Sequence, residues 1–298
     1  MADLTGRPAD FDAYWDAVDR ELERYPAAAE LEHLPRHSDE YSNVYAVRLT
    51  SIGPYRIFGY LSVPVGGGPF PGLLITPRYG SVNHLPHLDD RQRYVVMIVM
   101  HRGQRLADKP FAATYPGLLT LGIDDPATYI YRGIVADCVR GAEFLLARPE
   151  VDATRVGVMG DDLALITAAR RPLFRAVQTS GLMFYRLDEA RRRSEAYPLE
   201  EMNDYLRTYP DRSEAVHRTI AYLEPRYHAA ARAVPTLFSV GGGALGDQEW
   251  LQPLADTLGG SVQHYTLTHE GGTDHDRLDA WLADQLAVAA KPRLWDVA

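Results

Sequence analysis

Arg155-Val156-Gly157-Val158-Met159-Gly160-Asp161-Asp162-Leu163-Ala164-Leu165-Ile166-Thr167 reads as a buried strand, an abrupt small-residue turn and a helix in immediate succession. Residues 156–159 have the nearly uninterrupted apolar character of a strand covered on both faces. Gly160 and Ala164 lie two before and two after Asp162, so strand and helix can approach closely with Asp162 at the tip of the turn. Such a tip, at the carboxyl end of a central strand, presents a reactive side chain, most often a serine. The function of this chain turns on what an aspartate does there.

The rest of the composition narrows the setting. With 298 residues, 46% of them hydrophobic, the chain can bury a large core, and one α/β domain over residues 1–298 is expected. A net charge of -9 with no basic block argues against nucleic acid or an anionic membrane as partner and leaves a small-molecule substrate. Cys138, the only cysteine, sits on what reads as a buried helix face and is expected to be a core thiol. The start, Met1-Ala2-Asp3-Leu4-Thr5-Gly6-Arg7-Pro8, lacks the basic and apolar parts of a secretory signal. The most apolar run, residues 94–100, is far shorter than the ~20 residues that cross a bilayer. A cytoplasmic location is expected.

Along the chain, Phe11, Tyr14, Trp15, Val18 and Leu22 recur at helical spacing within residues 8–25 and open an amino-terminal extension over residues 1–42. Residues 43–50 and 55–64 read as an antiparallel hairpin, and residues 72–76 and 94–100 as strands of a parallel sheet. A helix over 127–147 leads to the elbow strand, and strands at 174–179, 235–240 and 262–267 alternate with helices at 248–258 and 274–289. This order predicts an α/β fold, with a mostly parallel central sheet flanked by helices. Residues 185–232 interrupt it with charged, Tyr-rich helical sequence that predicts a lid. Its Arg191-Arg192-Arg193 reads as a solvated helix face.

Several of these stretches together resemble the acetyl xylan esterase and cephalosporin C deacetylase family of α/β-hydrolases. The most specific are Phe58-Gly59-Tyr60-Leu61-Ser62-Val63-Pro64, Arg102-Gly103-Gln104, Gly122-Ile123-Asp124-Asp125-Pro126-Ala127-Thr128-Tyr129-Ile130-Tyr131-Arg132, and Pro149-Glu150-Val151-Asp152-Ala153-Thr154 running into the elbow strand. The resemblance implies the α/β-hydrolase fold, deacetylation of small acetylated molecules by a Ser, His and Asp triad, and a homo-oligomer. Carried over residue by residue, it places the nucleophile on Asp162 and the triad histidine on His269. The triad acid falls near Ala244, with Asp247 as the nearest substitute, and the oxyanion-hole donors fall on the backbones of Tyr79 and Leu163. Arg78 stands where the family usually has glycine.

An aspartate in the serine position changes the chemistry. Attack by Asp162 on an ester would expel a more basic alkoxide and leave a mixed anhydride, so acyl transfer is disfavoured. Displacement at a saturated carbon suits a carboxylate better, as in the α/β-hydrolases that open carbon–halogen bonds or epoxides, whose elbows resemble this one. Alternatively Asp162 is a general base beside His269 for direct water attack or a lyase-type step. The competing reading is a catalytically silent ligand-binding or interaction protein. A buried unpaired carboxylate is costly, so Asp162 is expected to have a partner, and His269 is the natural one. Arg78, His101, Arg102 and Gln104 are candidates for substrate binding, the last three equally for fixing their loop. Asp161 is expected to point away from the pocket and cap the elbow helix. His264, His269, Asp274, His275 and Asp276 match no standard zinc spacing, and no metal or other cofactor is expected.

Overall fold

The computed structural model describes residues 6–80, 84–104, 106–107, 113, 116–229, 233–241 and 247–293. The chain opens with α1 (Phe11–Arg24), whose Phe11, Trp15, Val18 and Leu22 form one buried stripe. Then come β1 (Glu30–His33), β2 (Ser42–Thr50), β3 (Arg56–Pro64), β4 (Phe70–Ile75), the single turn α2 (Leu88–Arg91) and β5 (Val95–Met100). Helix α3 (Ile130–Leu146), β6 (Val151–Gly160), α4 (Asp162–Arg170) and β7 (Ala176–Ser180) follow. Four short helices fill the interval before the next strand: α5 (Leu187–Arg193), α6 (Leu199–Thr208), α7 (Ser213–Ile220) and α8 (Pro225–Ala229). The chain closes with β8 (Thr236–Val240), α9 (Gln248–Ala255), β9 (Val262–Thr266) and α10 (Gly271–Gln285).

The nine strands form one sheet in the order β1-β2-β3-β5-β4-β6-β7-β8-β9. The pairs β1·β2, β2·β3 and β3·β5 are antiparallel, and every pair from β5 to β9 is parallel. All six residues of β5 are buried, as a strand in the middle of a doubly covered sheet requires. One face packs under α1, α3 and α4. The other carries α10, whose Leu282 and Leu286 join Leu73, Val96, Ile98 and Ala176. A Cβ on Gly157 would stand 3.1 Å from both leucines, so the absent side chain sets how close α10 comes. The chain leaves β4 for β5 on one side and returns as β6 on the other, which places the switch of strand order, where open α/β sheets hold ligands, at the carboxyl ends of β4 and β6.

Three boundaries depart from the sequence reading for local reasons. β1 was not anticipated: it is an edge strand exposed at all four positions and has no apolar alternation to announce it. Helix α3 starts at Ile130 and not at residue 127, because Asp125 holds a turn by accepting from the N–H of Ala127 through its carboxylate and from Tyr129 through its carbonyl. Helix α10 starts at Gly271, ahead of residue 274, since the carboxylate of Asp274 faces back to the preceding loop. Cys138 is fully buried, as expected, and burial holds its thiol well above the ordinary value. Among the described residues no helix is long and apolar enough to cross a membrane.

Candidate active site

The turn between β6 and α4 is a single residue long. Gly160 ends the strand at φ 157° with no room for a side chain: a Cβ there would lie 2.0 Å from Thr76 Oγ1. Asp161 is the N-cap of α4, and its Oδ1 accepts from the N–H of Leu163 at 3.0 Å. Its own carbonyl takes a hydrogen bond from Thr179 Oγ1 at 3.0 Å, which fixes the cap to β7. The capping expected of Asp161 is therefore what the chain builds.

Asp162 is the first helical residue and is 1% exposed. Its Oδ2 accepts from the N–H of Met183 at 2.5 Å and its Oδ1 from that of Phe184 at 3.0 Å. The expected partner was His269; the partners found are two amides of the segment after β7. Burial, and then the charge of Asp161, push the Asp162 carboxyl well above the usual range, against the pull of the two amides. Asp161 is only partly buried in the fold, yet loss of water around its carboxyl raises it to about 6, with the Leu163 hydrogen bond and Arg78 opposing. Two adjacent carboxylates are thus separated, one locked inside and one at the strand end beside a guanidinium.

The loops after β4 and β5 are tied to each other. Gln104 donates from Nε2 to the carbonyl of Arg78 at 3.1 Å and accepts at Oε1 from the N–H of His101 at 3.2 Å. His101 is 1% exposed, its Nδ1 bonded to the carbonyl of Arg102, and burial lowers it to about 4, so the ring is neutral. Arg102 forms a two-pronged pair with the fully buried Asp137, Nε to Oδ2 at 2.9 Å and Nη2 to Oδ1 at 2.8 Å, and also donates to the carbonyl of Ile52. These contacts fit the loop-fixing alternative for His101, Arg102 and Gln104. Arg78 is exposed and donates to Ser180 Oγ at 3.3 Å, and Tyr79 is half-buried against the main core. The N–H of Leu163, expected to serve an oxyanion, is engaged by Asp161.

His269 is exposed and takes the left-handed conformation at φ 65°, with its backbone N–H on Asp274 Oδ2 at 3.0 Å. The same carboxylate accepts from Tyr265 Oη, Thr268 N and Thr268 Oγ1, so one side chain holds the whole histidine loop. Asp247 caps α9, accepting from Trp250 N at 2.6 Å. Ala244 lies outside the described residues. His264 stacks on Phe238, and among the described residues no three His, Cys, Asp or Glu side chains converge as a metal site would need. The triplet in α5 is not simply solvated: Arg191 and Arg192 pair with Asp188, and Arg193 with Glu189.

A cleft of about 410 Å³ opens at the carboxyl ends of β4, β6, β7 and β8, on the side covered by α10. Arg78, Thr179 and Ser180 stand at its elbow end, next to Gly160. Sequence reading missed Asp137 and Gln178, and weighed Asp274 only as part of an acidic and histidine cluster, not as the holder of the histidine loop. Asp137 and Asp274 act across loops that periodicity cannot join, and Gln178, a lone amide in the apolar strand β7, was the one visible signal passed over.

A twisted, mostly parallel sheet, helices on both faces, a strand–turn–helix elbow and a cleft at the strand ends define an α/β-hydrolase fold. Solved structures agree: an acetyl xylan esterase from Paenibacillus sp. superposes with a TM-score of 0.84 at 22% identity, over 97% of this chain and 99% of that one. Acetyl xylan esterase 1 from Thermoanaerobacterium sp. gives 0.81 at 20% identity, over 93% and 95%. The chain belongs to the acetyl xylan esterase family, whose family model matches residues 3–248. That match stops short of β9, α10 and His269. The acetyl esterase Axe7A of Xylanibacter ruminicola is 26% identical over 184 residues, 56% of this chain, and the chain spans 42% of that relative's length.

Proposed function

We propose that this chain is a small-molecule hydrolase that works by direct water attack, with Asp161 as general base, and not by acyl transfer to Asp162. The observation that supports this is the division within the carboxylate pair. Asp162 has both oxygens held by buried amides and is 1% exposed, which suits a structural anchor. Asp161 lies at the strand end beside Arg78 and titrates near 6, so it is ionised yet basic at neutral pH. In the step envisaged, Asp161 takes a proton from water as the water oxygen bonds to the carbonyl carbon of an ester, and Arg78 faces the developing oxyanion. Collapse breaks the ester C–O bond, and Asp161 returns the proton to the leaving alcohol. The acetyl-ester activities named for the relatives suggest small acetylated compounds as first substrates.

The centre expected from sequence, Asp162 with His269, is supported by position alone, since the two share no hydrogen bond. A second reading, a ligand-binding protein without turnover, is favoured by the Leu163 N–H, which Asp161 already occupies. Hydrolysis of p-nitrophenyl acetate by the unaltered protein and by Asp161→Asn and Asp162→Asn separates these. Expected are no acyl burst, kcat/KM rising through pH about 6, and a loss of about 100-fold in Asp161→Asn. A burst that depends on Asp162 sinks the proposal; turnover absent in all three favours the binding protein. Family resemblance also supports a homo-oligomer, checked by light scattering.

A further inference from the structure

Gln178 stands in a row of side chains that crosses the sheet. Ile98 pairs with Ile75, Ile75 with Met159, and Met159 with Gln178, each in parallel register, so all four point to the α10 side of the sheet. All four line the 410 Å³ cleft, with Leu278 of α10 opposite. Three are apolar and partly or wholly buried; the fourth is an amide that is 5% exposed. Among the described residues its side chain has no hydrogen-bond partner, although an amide offers two donors and an acceptor. The neighbouring hydroxyls do have partners: Thr179 Oγ1 donates to Asp161, Ser239 Oγ to the carbonyl of Thr179, and Ser180 Oγ accepts from Arg78.

The Gln178 side-chain N and O are not among the sealed, unpartnered polar atoms of the fold, so the amide opens into the cleft it lines. It presents two donors and an acceptor to whatever fills the space beside three apolar neighbours. The amide therefore has its use when the cleft is filled. We infer that the cleft binds a compact molecule with an apolar ring or short chain and one carboxamide or lactam edge. The apolar body lies along Ile98, Ile75 and Met159 under Leu278, and the edge pairs head-to-head with Gln178, donor to acceptor and acceptor to donor. The volume suits a ligand of this size, at the low end of ordinary small-molecule sites. This names the ligand class of the cleft that Arg78 and Gly160 of the elbow line, and it rests on the proposed function only for the cleft being the working site.

The probes are benzamide, benzoate and toluene, with binding followed by calorimetry and by the side-chain amide signals of Gln178 in 15N-labelled protein. The expected result is saturable binding of benzamide in preference to benzoate, with the Gln178 signals shifting. Gln178→Leu is expected to weaken benzamide about 10-fold, the scale of one paired amide edge, and to leave toluene within about twofold. Asp161→Asn should leave benzamide binding in place, so a failure of the general-base proposal does not take this one with it. Preference for benzoate, unmoved Gln178 signals, or benzamide affinity unchanged in Gln178→Leu would overturn the inference. So would a Gln178→Leu protein that is much less stable or unfolded, because the amide would then have a structural partner.

Discussion

Asp161 and Asp162 are chemically identical neighbours that a one-residue difference in helix position sends to different fates. Asp161 caps and stays near the surface; Asp162 turns inward and fastens the segment after β7 to the start of α4. Replacing Asp162 by alanine leaves two buried N–H groups without acceptors, and a stability loss of about 2–5 kcal/mol is expected in urea unfolding. The same pair sets a pH dependence. The Asp161 carboxyl moves from 3.8 to about 6 on folding, so the folded state holds its proton more tightly than the unfolded chain. Stability from this group is complete below pH 4 and declines as pH rises through 6, by on the order of 2–3 kcal/mol. Comparing unfolding curves of the unaltered protein and Asp161→Asn from pH 4 to pH 7.5 isolates the slope, which the asparagine variant should lack. The capping role was legible in the sequence, because an aspartate just before a helical run has a local signature. The fate of Asp162 was not, because the N–H donors to its carboxylate are met 21 and 22 residues away through the path of β7.

Elements are joined here by single side chains as much as by broad faces. Trp250 of α9 lies between two guanidinium groups, Arg186 at 4.1 Å and Arg193 at 4.5 Å from its ring, and edges Tyr185 at 5.9 Å. It pins α5 to α9. Trp250→Ala is expected to cost about 3 kcal/mol and to speed amide exchange in residues 187–193 ahead of the sheet. On the opposite side Asp274 gathers residues 265–269, holding His269 in a conformation that a non-glycine residue adopts at a cost. In Asp274→Ala the histidine loop should lose its fixed geometry, visible as sharpening and averaging of the His269 ring signals. Neither tie could be read from periodicity, which assigns α5, α9 and α10 their existence and says nothing of which side chains meet across them. The strands were easier: β2 with β3 and the apolar β5 carry their pattern within a few residues, whereas exposed β1 carries none.

Across the whole molecule the amino-terminal helix closes what the middle of the chain begins. Trp15 Nε1 of α1 donates to the carbonyl of Tyr222, Tyr222 Oη donates to Asp10, and His228 packs edge-on to Trp15 at 5.4 Å. Residues over 200 positions apart thus share one cluster, and Trp15, 1% exposed, is at its centre. Trp15→Ala is expected to lower stability by about 3–5 kcal/mol, and removal of residues 1–25 to abolish the single cooperative unfolding transition in calorimetry. At this scale the order of strands and helices and the place of the cleft follow from sequence pattern and the rules of parallel sheets. What pattern leaves open is long-range pairing of charge, such as Arg93 with Asp279 and Arg102 with Asp137, whose partners are fixed only once the sheet exists.

The cap on α4 has one further consequence. A carboxylate covalently attached one residue before a helix end behaves as a tethered competitor for any anion approaching that end. A phosphonate, a boronate or the tetrahedral adduct of an acylating reagent that sought the Leu163 amide would have to evict Asp161 first, and residues 160–164 hold no serine to react with it. In a cell extract treated with fluorophosphonate dyes, which stain serine hydrolases by this route, the chain is expected to stay dark.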